Sequence, residues 1–76
     1  MYQPTYKDYV VIDNERDEFY LRIGKIVKII YNELHTDMID YYIISFYDSN
    51  LKSVVNKQYE ANIFYFGKAK VLNFKE

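Results

Sequence analysis

Ten tyrosines, ten lysines and arginines, eleven carboxylates and a single histidine are the side chains with chemistry to offer in this chain of 76 residues. Asp13, Glu15, Asp17 and Glu18 fall close together and could supply the several oxygens that Ca²⁺ requires. The run lacks the glycine and the distal glutamate of an EF-hand loop, so it is expected to be a solvated acidic loop. His35 stands between Glu33 and Asp37 on a polar connector. Two carboxylates and one imidazole on a loop make a poor metal cage, and histidine is at home in water. No cysteine is present, so neither a thiolate site nor a disulfide can form. Acid–base catalysis needs paired carboxylates with one raised pKa inside a cleft. No nucleophile motif accompanies the acids here. The expectation is a non-enzymatic protein with no catalytic residue, no metal and no cofactor.

The tyrosines point elsewhere. Ten in a chain this short cannot all be buried, and surface tyrosine is enriched where proteins meet. Tyr41 and Tyr47 share the less apolar side of one strand-like run, and Tyr31 ends the run before it. These three form a candidate interface with another protein or with a second copy. The competing reading is that they only cover the outside of the fold; an aromatic cage for a methylated lysine is a third. Lys25, Lys28, Lys68 and Lys70 form a candidate nucleic-acid surface, because cations interleaved with aromatics suit single strands. Against it stand a solvated face with edge lysines that block aggregation, and a net charge of −1. The charges are nevertheless segregated: acids dominate residues 1–18 and 33–48, and cations dominate residues 22–28 and the stretch after Lys52.

The elements that must position these groups are strands. The chain is 50% hydrophobic and 20% aromatic, too apolar for disorder. Arg22 to Tyr31 and Ile39 to Tyr47 are β-branched and aromatic and of strand length, and a polar connector makes them antiparallel neighbours. Five strands are expected, near 8–12, 22–31, 39–47, 51–56 and 68–74. Gly24 inside the second suggests a bulge or sharp bend. Asp48-Ser49-Asn50 suggests a tight turn. Residues 56–67 are ambiguous: Tyr59, Ile63 and Phe66 have helical spacing between Asn56 and Gly67, while Ile63 to Phe66 has strand propensity. A helical or 3₁₀ turn near 58–65 is the preferred reading. Residues 1–7 are set apart as an N-terminal arm, with Tyr2 and Tyr6 either docked or mobile, and 8–76 as one domain.

This layout resembles a small SH3-like barrel: an all-β, five-stranded fold with a long first loop, a central meander and a short 3₁₀ turn before the last strand. Gly24-Lys25-Ile26-Val27-Lys28-Ile29 is similar to the core of the KOW motif, in which a glycine precedes alternating apolar residues. The likeness to KOW-type barrels implies contact with RNA or with nucleic-acid machinery. Ile26 stands where a second glycine would fall, and Arg22 alone supplies charge ahead of Gly24. The Pro-rich-peptide reading of signalling SH3 domains needs a tryptophan, and the chain has none. Small SH3-like proteins also occur in low-GC Gram-positive bacteria and their phages, and half of this chain consists of residue types with AT-rich codons. The opening residues carry no apolar run and no segment approaches ~20 apolar residues, so no secretory leader, no membrane span and a cytoplasmic location are expected.

Overall fold

A computed structural model describes residues 3–72. Among them the chain is all-β: five antiparallel strands in one sheet of order β4-β3-β2-β1-β5, with one short helical turn before the last strand. The strands are β1 (Tyr9–Ile12), β2 (Ile23–Tyr31), β3 (Ile39–Asp48), β4 (Ser53–Glu60) and β5 (Ala69–Leu72), and the turn α1 spans Asn62–Tyr65. The ladder does not close, so β4 and β5 are its two edges.

Alternation decides which side of each strand is covered. On β3, Tyr42, Ile44 and Phe46 are buried while Tyr41, Ile43, Ser45 and Tyr47 face out. Val10 and Ile12 of β1, Ile26 of β2, Tyr59 of β4 and Ala69 of β5 join them, and Phe19 enters from the long first loop. Phe46 is the hub. Its ring stacks on Phe19 with centroids 4.2 Å apart, and Tyr59 meets it edge-on at 6.2 Å. Each such pair adds about 0.5–1.5 kcal/mol to the burial itself.

Of the bulge or sharp bend expected at Gly24, the bulge is absent there. Gly24 pairs regularly with Val10. A Cβ there would lie 2.7 Å from Cε1 of Phe46 and closer still to Ile44, so only glycine lets β3 come this near. The register irregularity falls three residues later, between Ile26 and Lys28. It switches the alternation of β2, so that Lys28 pairs with Ile43 on the outer face and Ile29 with Tyr42 on the inner one. A second shift follows between Ile30 and Tyr31, which pairs with Ile39.

β4 runs from Ser53 to Glu60, later and longer than the 51–56 expected. Its turn is looser than the tight one read from Asp48-Ser49-Asn50: Asp48 Oδ1 accepts from the Asn50 and Leu51 amides, and Lys52 adopts a positive φ of 52°. The helical turn is correspondingly shorter. It stops at Gly67, whose φ of 71° suits glycine. The arm is docked along part of its length: Pro4 is buried, the Tyr42 hydroxyl donates to its carbonyl at 3.3 Å, and the Lys7 amide donates to Ile26. Tyr6 stays exposed, and Tyr2 lies outside the described residues.

Candidate binding surface

The outer face of the sheet is ordered in cross-strand rows. Lys70 pairs with Val11 and Val11 with Ile23. Because Lys25 lies opposite Ser45, Ile23 falls opposite Tyr47, and Tyr47 pairs with Val54. The Arg22 guanidinium, donating to the Tyr47 carbonyl, holds β2 and β3 together at this end. The row Val11–Ile23–Tyr47–Val54 therefore crosses four strands. Ile23 is 55% exposed, Tyr47 56% and Val54 64%, with Leu51 of the adjoining turn at 66%. Alternate positions of strands that must bury their other face put these residues here, and among the described residues nothing covers them.

The next row runs Leu72–Tyr9–Lys25–Ser45–Asn56 and is mostly polar. Lys25 Nζ sits 5.6 Å from the Tyr9 ring centroid. Beyond it come Lys28–Ile43–Gln58 and then Ile30–Tyr41–Glu60.

The three candidate tyrosines are thereby separated. Tyr47 belongs to the apolar row, and Tyr41 lies six residues away along β3, roughly 20 Å at strand rise. Tyr31 and Tyr41 both border a hollow with Ile30, Asn32, Glu33, Leu34 and Asp40. Tyr31 also lines a hollow of about 480 Å³ shared with Pro4, Tyr6, Ile29 and Ile39, on the far side of the second register shift. Of the four candidate lysines, Lys25, Lys28 and Lys70 share the outer face. Lys68 sits in the bend before β5, where its carbonyl accepts from the Asp13 amide at 2.8 Å. Lys70 is paired with Asp13 at 3.1 Å, which neutralises part of the patch.

Asp13, Glu15 and Glu18 of the acidic loop are exposed as expected, but Asp17 is not. Asp17 carries a side chain only 9% exposed, 3.1 Å from Lys57 Nζ, and Glu18 reaches the same ammonium at 3.4 Å. Asp17 Oδ1 also accepts from the Phe19 amide at 2.8 Å and from the Tyr59 hydroxyl at 3.0 Å. Burial works against its ionisation. The Phe19 amide, Lys57 and Tyr59 together outweigh that and hold the carboxyl below its ordinary range. Burial, and then the carboxylate it donates to, push the Tyr59 phenol strongly upward. This cluster fastens the loop over the core and sets Phe19 on Phe46. No local pattern announces it, since Lys57 and Tyr59 follow Asp17 by more than half the chain; the one hint is that both fall on the same side of β4. Among the described residues no group of His, Asp and Glu is arranged to hold a metal, and His35 lies exposed in a loop turned by Asn32, whose Oδ1 accepts from the Leu34 and His35 amides. Among the described residues no helix is long and apolar enough to cross a membrane. Comparison with known proteins yields no relative: no family model, no curated protein and no solved structure matches the chain.

Proposed function

We propose that this chain is a non-enzymatic binding module that contacts another protein through the outer-face row of Ile23, Tyr47 and Val54, flanked by Leu51. The carrying observation is that these residues are contiguous across three strands and each more than half exposed. Monomers seldom leave such a patch uncovered, and tyrosine at its centre supplies contact area at low entropic cost. The long first connection, the meander β2-β3-β4 and the turn before β5 support an SH3-like reading of the sheet. The test is capture of a partner from lysate with and without nuclease, using the parent chain, Tyr47→Ser and Tyr41→Ala. The expected result is one protein retained after nuclease, lost with Tyr47→Ser and kept with Tyr41→Ala. Equal capture by the parent and Tyr47→Ser refutes the row as the contact.

A second reading rests on Lys25 lying over Tyr9 with Lys28 and Lys70 on the same face: a single-stranded nucleic acid stacking on Tyr9. It requires affinity that falls steeply with salt, by nearly one logarithmic unit per phosphate contact. A salt-independent complex rules it out.

A further inference from the structure

We propose that β4 is a self-association edge, pairing antiparallel with β4 of a second copy about a two-fold axis at Asn56. The Ala61 amide donates to the Asp40 carbonyl, which fixes the phase of the β3–β4 ladder. Residues 53, 55, 57 and 59 therefore turn their backbone groups toward β3, and Val54, Asn56, Gln58 and Glu60 turn theirs outward. All four of the latter are exposed, and among the described residues no backbone hydrogen bond from outside the β3–β4 ladder reaches them.

An open edge is ordinarily blunted by shortness, a proline, a bulge or a lysine pointing across it. β5 is short, at four residues. β4 has none of these devices: it is eight residues long, lacks proline and glycine, and pairs with β3 through an unbroken register. Its one lysine, Lys57, points to the inner face, a placement that can itself guard an edge, but its ammonium is held by Asp17 and Glu18 within the chain.

The sequence of this edge is self-complementary in one register. With Asn56 facing its own copy, Val54 meets Gln58, and Lys52, in the turn just ahead of β4, falls on the side of Glu60 of the second copy, twice by symmetry. Neither Lys52 nor Glu60 has an ion pair within its own chain among the described residues. The alternative centred on Lys57 would set two like charges face to face, which disfavours it. The resulting contact is isologous and closes at two copies. It joins the two sheets edge to edge, engages the outer-face row only at Val54, and leaves Ile23 and Tyr47 outside the pairing.

The test is sedimentation of the full chain over a concentration series to several hundred micromolar. The parent chain is expected to dimerise. Asn56→Pro removes the outward amide at the axis without touching the β3 ladder, and should weaken dimerisation roughly 10- to 100-fold with the circular dichroism and urea midpoint unchanged. Lys52→Glu and Glu60→Lys should each weaken it roughly 3- to 10-fold, and the double exchange should recover it to about twofold of the parent. The charge set decides the question if Asn56→Pro fails to fold. A parent chain that remains monomeric overturns the proposal, as does a double exchange no better than the single ones. Dimerisation lost with Tyr47→Ser but unaffected by Asn56→Pro overturns it too, and moves the contact to the outer face.

Discussion

Replacing Asp17 by Asn and Tyr59 by Phe, singly and together, measures how firmly the first loop is fastened to the sheet. The Tyr59 hydroxyl donates to a carboxylate whose side chain is 9% exposed, so solvent competes little. A hydrogen bond to a charged group contributes about 1.5–3 kcal/mol. The Lys57 side chain is 33% exposed, and its pairing is worth the surface value of up to ~1 kcal/mol. Asp17→Asn keeps an oxygen for the Phe19 amide and the Tyr59 hydroxyl but loses the charge, so it should cost about 1–2 kcal/mol. Tyr59→Phe should cost about as much, and the two should couple by ~1 kcal/mol. Against a total near 4–11 kcal/mol for a domain of this length, either change is large. With a urea slope of roughly 1 kcal/mol per molar, the midpoint falls by about 1–2 M, read by circular dichroism. The pH dependence carries a sign. The carboxyl of Asp17 is held below its ordinary value of 3.8 in the folded chain, so its contribution is fully present above that value and is lost as pH falls through the folded one. The acid limb of the stability curve should therefore be shallower for Asp17→Asn. Coupling below about 0.3 kcal/mol, or an acid limb identical to that of the parent, would refute the fastening.

Two further outcomes concern the backbone. Gly24→Ala should destabilise by about 1–3 kcal/mol in urea unfolding, because the added methyl meets Phe46 and Ile44 in a filled core; an unchanged midpoint would show that β2 and β3 can separate freely. Leu21 is exposed and holds a φ of 60°, so Leu21→Asn should leave the midpoint unchanged or raise it by the equivalent of up to ~1 kcal/mol. A lower midpoint would mean that Leu21 contributes packing that its exposure hides.

The strands that alternate cleanly were legible. β1, β2 and β3 begin and end within about one residue of the spans that β-branched and aromatic runs suggest. β4 was misplaced for two physical reasons. The turn before it is lengthened by the left-handed Lys52, and Tyr59 shares helical spacing with Ile63 and Phe66 although it faces the core from a strand. The helical turn and its stop at Gly67 were anticipated, but its start was not, because no side chain caps it. The alternation of β2 could not be carried through Val27, where an extra residue reverses the faces. Lys25 and Lys28 share a side only because of that reversal. The distance between Tyr41 and Tyr47 follows from strand rise alone, but neither the placing of Tyr31 beside Tyr41 nor the Asp17–Lys57–Tyr59 cluster had a local cue. Register and long-range pairing decide both, and a single chain's pattern does not encode them.

The pairing of β1 with β5 sets a schedule for synthesis. Tyr9 lies opposite Leu72, so β1 must wait for β5 to be made before its second side is paired. At about 5–20 residues per second the wait is several seconds, far longer than hairpin formation takes. The meander β2-β3-β4 can assemble in that interval, and β1 can join it through β2. The outward edge of β1 stays open to any extended chain nearby until Ala69–Leu72 arrives. Slower translation would lengthen the time for which this edge of β1 is exposed, and a chain ending before Ala69 would never cover it.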